Sequence, residues 1–196
     1  DEAATATLTL YGTDGSQLGT ASQPLAAKTL LRQTLAGLFP SAQLGAASHV
    51  VVTGDRALVA HEVVVNFQVA GTALRRETIA AGGRIPTDAT RQILSQFVSG
   101  AGWLSFIGLV NTAQTAQDIV LTARKDDGTL WALPKNPVTV TLGANASWRG
   151  TVAQLFEITD ATELSVGWID ISTPVGFVTS YIGFGNQGTP SFALVS

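Results

Sequence analysis

The sequence contains one pattern twice, and this internal repeat constrains the fold more than any other feature. The pattern L-x6-R-x-T-[LV]-x-x-L-F occupies residues 25–39 and again residues 142–156, at an offset of 117. Residues 48–67 resemble residues 167–186 at an offset of about 119. Similar segments in the same order, with offsets that drift as loop insertions make them drift, predict two structural units of one kind.

Alternation of apolar and polar residues predicts β-strands along most of the chain. Residues 4–11 (ATATLTLY) alternate with a period of two, which is typical of a half-buried strand. Asp14-Gly15 and Asp127-Gly128, at an offset of 113, supply the positive-φ position of a hairpin turn. The other predicted strands are residues 49–53, 57–67, 103–111, 118–124, 137–142, 164–172 and 176–184.

Many short strands separated by turns favour a sandwich of two sheets over a parallel α/β fold. The predicted fold class is all-β, with two tandem antiparallel β-sandwich (Ig-like) domains related by internal duplication and little helix. The first domain covers residues 1–85 and the second residues 93–196, with residues 84–92 bridging them.

Three short segments are candidates for helix. Residues 34–39 and 151–156 could each form one or two turns that place their apolar side chains on one side. Residues 87–98 form a third candidate, in which Ile93, Leu94 and Phe97 would face inward, although these residues could also run extended.

The two copies of the repeat are not equally complete. The second copy is preceded by a strongly strand-forming run, residues 100–111, whereas the first copy begins with the equivalent of the next strand. We therefore expect the first repeat to lack its first strand. The chain also ends in an apolar segment, residues 189–196, for which its own repeat leaves no strand to follow. An incomplete sandwich exposes an unpaired edge and an open core unless another segment fills it.

These features predict strand donation between copies. Such a head-to-tail contact propagates into filaments when it does not close. Two alternatives stay open: the chain is a segment of a longer array, or a terminal strand of the same chain folds back. The residues predicted to carry assembly are Thr5, Leu8, Leu10 and Tyr11 on an exposed edge strand, and Phe192, Leu194 and Val195 in the tail.

Motifs for enzymatic chemistry are missing from the sequence. The chain has no cysteine and two histidines, His49 and His61, and neighbours on a strand such as Ser48 and His49 point to opposite faces. There is no G-x-S-x-G elbow, phosphate loop or zinc-ligand spacing. We expect no enzymatic activity, no cofactor and no metal, although Asp126 and Asp127 form the best local cluster for calcium.

Charge and hydropathy narrow the choice of partners. The net charge of −3 and the lack of a basic run speak against nucleic acid. No apolar stretch approaches the roughly 18 residues of a membrane-spanning helix. The chain starts at Asp1 and contains no methionine, as expected of an exported protein after removal of its signal peptide. We expect it outside the cell or on the cell surface.

The tryptophans suggest an alternative function. Trp131 follows an Asp-Gly hairpin and Trp148 lies in a loop-like segment, so both could be exposed and stack against a sugar ring. The alternative is therefore a carbohydrate-binding or adhesion module, or an accessory domain of a larger secreted protein. Tryptophans in small sandwiches are also commonly core residues or plugs between domains, which is the simpler interpretation.

Residues 97–131 combine a glycine-rich turn, a strand ending in L-V-N, an apolar and threonine-rich strand, and an Asp-Gly turn. This run resembles the β-sandwich repeats found in tandem in large secreted and cell-surface proteins of environmental bacteria. The resemblance implies an extracellular architectural or adhesive role and carries no catalytic residues. The predicted function is a non-enzymatic structural subunit of an extracellular bacterial filament or surface array, whose partners are copies of itself and, as a second class, surface glycans.

Overall fold

The computed structural model describes residues 2–60, 62–70, 73–81, 89–159, 162–186 and 192–195. All strand pairs in this part of the chain are antiparallel, so the predicted all-β antiparallel class is confirmed. The elements are β1 (Ala4–Gly12), β2 (Gln17–Leu25), α1 (Leu35–Leu38), a 3-10 turn (Leu44–Ala46), β3 (Ala47–Gly54), β4 (Glu62–Ala70), β5 (Ala73–Ala81), β6 (Arg91–Ser99), β7 (Trp103–Asn111), β8 (Gln117–Arg124), β9 (Val138–Leu142), β10 (Ser147–Thr151), α2 (Val152–Phe156), β11 (Ser165–Ser172), β12 (Val178–Asn186) and β13 (Phe192–Val195).

The second half of the chain is a sandwich of two four-stranded sheets, ordered β6-β11-β8-β9 and β10-β7-β12-β13. Both sheets contribute to one core, and β8 shows how the sequence produces it. Ile119, Leu121 and Ala123 are fully buried, whereas the residues between them are only half-buried. Each buried leucine or isoleucine side chain stabilises the fold by about 1.5–3 kcal/mol. The two-residue period therefore fixes which face of the sheet turns inward.

Asn111, the last residue of the L-V-N run, fastens one end of this sandwich. Its side chain is completely buried and both of its polar atoms are satisfied. Asn111 Nδ2 donates to the carbonyl oxygens of Thr115, Leu142 and Gly143, and Oδ1 accepts from the backbone N–H of Ala113 and from Nε2 of Gln117. The network ties the β7–β8 loop to the end of β9, which gives the asparagine of this motif a structural role.

Among the described residues, the first half of the chain contains fewer strands than the second half. Strands β2, β1 and β3 form a three-stranded sheet in that order, and β4 and β5 form a separate hairpin that lies beside β13. Ala6, Leu10 and Phe39 are the buried apolar residues described for this half. The domain boundary expected at residues 84–92 stays a prediction, and β6 begins at Arg91.

The hydrogen-bond registers of the two halves match residue by residue, which confirms the internal duplication. The pair β1–β2 corresponds to β8–β9, β1–β3 to β8–β11, and β4–β5 to β12–β13. The matching Cα partners are Ala4↔Leu25 with Gln117↔Leu142, Tyr11↔His49 with Arg124↔Trp168, and Val65↔Thr78 with Ile182↔Val195. The first two matches follow the offsets of 113, 117 and 119 that the sequence shows, whereas β4 and β5 match β12 and β13 at an offset of 117.

The two Asp-Gly turns share one hydrogen-bond pattern. Asp14 Oδ1 accepts bonds from the backbone N–H and the hydroxyl of Ser16, at 3.0 and 2.7 Å. Asp127 Oδ1 accepts the same two bonds from Thr129, at 2.9 and 2.6 Å. These bonds stabilise the ionised carboxylates and lower the pKa of both aspartates.

The short helices are confirmed where the repeated threonine precedes them. The Thr34 side chain accepts a bond from the Gly37 N–H at 3.1 Å and caps α1. Thr151 accepts one from the Gln154 N–H at 3.1 Å, and Gln154 Oε1 accepts the N–H of Thr151 in return. Each cap satisfies a backbone donor that the first helical turn leaves without a partner.

Two expectations about strand edges are wrong. Strand β1, which contains Thr5, Leu8, Leu10 and Tyr11, is the central strand of its sheet and not an exposed edge, because β2 and β3 bond to its two sides. The tail does have a strand to follow in its own repeat, since β13 pairs with β12 as β5 pairs with β4. Sheet order is set by long-range pairing, which local alternation does not reveal.

The third helix candidate is also wrong, because residues 91–99 form β6. The register between β6 and β11 shifts between Gly167 and Ile169, so that a β-bulge inserts one extra residue into β6. The bulge puts Leu94 and Phe97, three residues apart, on the same buried face, a spacing that imitates a helix. Ile93 points outward and is 58% exposed.

Candidate assembly site

The first repeat lacks two strands that the second repeat has. Its sheet β2-β1-β3 corresponds to β9-β8-β11, and its hairpin β4–β5 corresponds to β12–β13. In the second repeat, β6 pairs with the outer edge of β11, and β7 lies between β10 and β12. No strand of the described part of the chain occupies either position in the first repeat.

The missing strands leave apolar side chains only partly covered. In the second repeat, Leu121, Ile169 and Ile171 are fully buried in one core cluster. Their counterparts by register are Leu8, Val50 and Val52, and all three are half-buried. The first repeat therefore presents apolar residues toward the place where β6 and β7 pack in the second.

The segment before α1 also lacks the strand pairing and the burial that its counterpart in the second repeat has. Its counterpart β10 pairs with β7, and Val152 at the start of α2 is fully buried. In the first repeat, residues 30–34 form no strand, and Leu30, Leu31 and Leu35 are 75%, 39% and 36% exposed. We call Leu8, Val50, Val52 and Leu35 the open face. Apolar side chains left uncovered in this way are candidates for a binding surface.

The predicted assembly residues occupy different environments. Leu8 lies on the open face, whereas Leu10 is buried, with 1% exposure. Thr5 is exposed, and its N–H donates to Asp55 Oδ1 at 2.8 Å. Tyr11 stacks on His49 with ring centroids 5.2 Å apart. The tail residues Phe192, Leu194 and Val195 lie on β13 at the edge of the second sandwich, and their role in assembly stays a prediction.

A turn of the first repeat contacts a loop of the second. The Ser147 N–H donates to the Thr13 carbonyl at 3.0 Å, and the hydroxyls of Ser48 and Ser147 are 2.5 Å apart. A Cβ added to Gly15 would lie 2.1 Å from the carbonyl oxygen of Ala144. The close approach requires glycine at this position. No local pattern in the sequence indicates this contact, although the repeated Asp-Gly pair marks one side of it.

His49 has the environment of a packed aromatic residue rather than of a catalytic base. Both ring nitrogens are buried and have no hydrogen-bond partner in the described part of the chain. Burial lowers the pKa of His49, since the charged imidazolium is poorly solvated there. The hydroxyl of the neighbouring Ser48 bonds to Ser147 instead. His61 and its surroundings lie outside the described residues.

The two tryptophans predicted to stack against sugars are half-buried and packed on the second core. The Trp131 ring lies 5.5 Å from that of Phe97, and the Trp148 ring covers Gly150. Their sugar-binding role stays a prediction. Trp103 is more exposed, at 41%, and lines a shallow depression with Gln96, Val98, Leu164 and Phe184. No sequence motif singled this depression out.

An ion pair holds the edge strand β6 of the second sandwich. Arg91 bonds to both carboxylate oxygens of Asp170, at 2.7 and 2.8 Å, and Arg124 lies 4.0 Å from the same carboxylate. The hydrogen bond from Arg91 is the main cause that lowers the pKa of Asp170. The Arg124 guanidinium also lies 5.7 Å from the centroid of the Trp168 ring. This cluster is structural, since it links β6, β11 and β8.

Comparisons add no family to these observations: no family model matches the chain, and no curated protein or solved structure matches it. Within the described ranges, no three residues of His, Cys, Asp or Glu come together as metal ligands. None of the helices described here has the length and apolar character needed to cross a membrane.

Proposed function

We propose that this chain is a non-enzymatic structural subunit of an extracellular filament or surface array, and that a strand pair from a neighbouring subunit completes its first repeat. The observation that carries the proposal is the difference in burial between matched residues of the two repeats. Leu8, Val50 and Val52 are partly uncovered, whereas Leu121, Ile169 and Ile171 are fully buried at the same register positions.

The chemistry of the incoming segment follows from the complete repeat. Strands β6 and β7 bring Leu94, Phe97, Ile107 and Leu109 into the core, and β6 adds backbone bonds along the free edge of β11. A partner for the first repeat needs the same features: two extended strands with apolar residues on one face. Strand addition supplies affinity through main-chain bonds and specificity through alternate side chains.

Location outside the cell is part of this proposal. It is supported by the resemblance of residues 97–131 to secreted tandem repeats and by the small share of charged residues, 13%. The chain also lacks cysteine, so assembly by strand addition would not depend on disulfide formation.

Self-association of the full chain tests the proposal. Light scattering over a range of concentrations, with electron microscopy of the same samples, should show oligomers that grow with concentration. Leu35→Asp should keep the chain monomeric, because it puts a charge on the open face, while an acidic residue at the start of α1 does not oppose the helix. Val51→Asp is the matched control, since Asp170 occupies that register position on the outer face of β11. A monomer at all concentrations would contradict the proposed function.

Binding of glycans is the second candidate, and the depression around Trp103 favours it. An exposed indole beside Gln96 offers an apolar ring face and an amide, the two groups that carbohydrate sites combine. A glycan array with the wild-type chain and Trp103→Ala tests this candidate. Loss of a glycan signal in Trp103→Ala, with retention in Trp131→Phe and Trp148→Phe, is the expected result for a site at Trp103.

A further inference from the structure

We propose that copies of this chain join head to tail, with the turn at residues 126–128 of one copy docked on the loop at residues 26–30 of the next. The proposal rests on the proposed function and names the second surface at which subunits meet. It follows from a contact that already exists within the chain, between the turn at residues 13–15 and the loop at residues 143–147.

The existing contact is close and specific. The Ser147 N–H donates to the Thr13 carbonyl at 3.0 Å. Gly15 has a φ of 86°, and the peptide around Ala144 and Asn145 leaves no room for a Cβ there. A glycine turn of one repeat therefore packs directly on the backbone of a loop in the other. Ala146 and Ser147, with exposures of 6% and 8%, are buried between this turn and the second repeat, where Ala146 joins the core and Ser147 pairs with β7.

The first repeat carries a second copy of the loop. Lys28 has a φ of 58°, and its counterpart Asn145 has a φ of 55°. The Thr29 N–H donates to the Ala26 carbonyl at 3.3 Å, as the N–H of Ala146 donates to that of Gly143 at 3.2 Å. The two loops thus have the same backbone shape. The loop at residues 26–30 is exposed throughout, and its Leu30 is 75% exposed.

The second repeat carries a second copy of the turn. Gly128 has a φ of 83°, and Asp127 makes the same bonds as Asp14 in the first turn. A Cβ added to Gly128 would meet no atom within 4 Å, so the described residues leave open space on that side of the glycine. Asp126 and Asp127 are exposed. Leu30 and Asp126 are the counterparts of Ser147 and Thr13, which share a backbone hydrogen bond. Within the described part of the chain, neither the Leu30 N–H nor the Asp126 carbonyl has a hydrogen-bond partner.

The side chains at the proposed contact between copies differ from those at the contact within the chain. The hydroxyl pair of Ser48 and Ser147 has no counterpart, because Gly167 and Leu30 occupy those positions. The contact would bury Leu30 instead, close to the exposed Leu130 that follows the turn. Because the turn and the loop are different surfaces, the contact is heterologous and continues from copy to copy.

Disulfide trapping tests the docking, and a chain without native cysteine is suited to it. Asp126→Cys and Leu30→Cys are made as separate full-length variants, and the reduced proteins are oxidised by air both separately and as an equimolar mixture. Positions 126 and 30 are the counterparts of Thr13 and Ser147, whose backbones are joined by a hydrogen bond of 3.0 Å, so the mixture should give a covalent heterodimer. The double variant should give a ladder of longer polymers. Leu30→Cys mixed with Thr139→Cys, on the exposed face of β9, is the matched control and should stay uncoupled.

Light scattering on the wild-type chain accompanies the trapping and separates the two proposals. Concentration-dependent oligomers together with the specific heterodimer support both. Oligomers without coupling between positions 126 and 30, or with equal coupling in the control, overturn the docking and leave the proposed function standing. A monomer that does not couple overturns both. The pair Thr13→Cys and Ser147→Cys in one chain should close an intramolecular disulfide, and its failure would contradict the contact from which the inference starts.

Discussion

The imidazole of His49 stacks on the phenol ring of Tyr11, with ring centroids 5.2 Å apart and planes inclined by 15°. In the second repeat, the same register position brings Arg124 over the ring of Trp168. The two repeats therefore keep a ring contact at the same place, between β1 and β3 in the first and between β8 and β11 in the second, although all four residue types differ. The backbone pairing has been retained, and the side chains have adapted around it.

The buried ring nitrogens of His49 predict that the stability of the first repeat depends on pH. Burial lowers its pKa in the folded state, so the unfolded chain binds the proton more readily. The contribution of neutral His49 to the free energy of unfolding is therefore fully present above the ordinary histidine pKa of about 6.5. It decreases as the pH falls from there toward the lowered pKa. Urea unfolding monitored by hydrogen exchange of β3 measures this decrease. His49→Phe keeps a ring at the stack and should remove most of it, whereas equal pH dependence in both proteins would show that another group is responsible.

The Asn111 network predicts a large loss of stability on an isosteric change. In Asn111→Asp, an oxygen replaces Nδ2 and faces the carbonyls of Thr115, Leu142 and Gly143. A buried group left without its partner costs about 1–3 kcal/mol, and more when it is charged. We expect the urea midpoint of the second sandwich, followed by tryptophan fluorescence, to fall by an amount equivalent to 3 kcal/mol or more on this scale. A change below about 1 kcal/mol would contradict the role of the network.

Matched leucines in the two repeats predict unequal costs of truncation. Leu121→Ala should destabilise the chain by about 2–5 kcal/mol, because it leaves a cavity in a closed core. Leu8→Ala should cost less than half as much in the monomer, since Leu8 already contacts solvent. Equilibrium unfolding of the two variants under conditions that keep the chain monomeric measures the difference. Equal costs would show that Leu8 is covered as completely as its counterpart.

The threonine caps of the two short helices predict a smaller loss of stability than truncation of the buried Leu121 does. Thr151→Ala removes a capping box above a helix whose Val152, Leu155 and Phe156 are buried, and should cost about 1 kcal/mol. Thr34→Ala should cost less, because α1 has no buried residue. Thr→Ser at either position keeps the hydroxyl and serves as control. A Thr34→Ala loss that exceeds the Thr151→Ala loss would be inconsistent with these environments.

The parts of the repeat whose structure depends on neighbouring residues could be predicted from the sequence. The Asp-Gly turns and the two helical segments depend on neighbouring residues only, so Asp14, Asp127 and the turns after Thr34 and Thr151 could be predicted. The position of β1 inside its sheet could not, because the β3 segment that pairs with it lies far along the chain. The β6 strand was ambiguous since a bulge gives Leu94 and Phe97 a helical spacing. The contact at Gly15 joins a turn of one repeat to a loop of the other, and no local sequence pattern indicates such a long-range contact.

The measurement that tests the central claim most directly is the binding of a strand pair to the open face. A labelled peptide with the sequence of residues 91–111, fused to a soluble carrier, is titrated with the full chain and followed by fluorescence anisotropy. We expect saturable binding that protects β3 amides from hydrogen exchange and that is lost in Leu35→Asp. The same peptide with Ile107→Asp and Leu109→Asp should not bind, because those residues face the core. If the unchanged peptide fails to bind, or binds equally to Leu35→Asp, the first repeat is not an acceptor for strands of this kind.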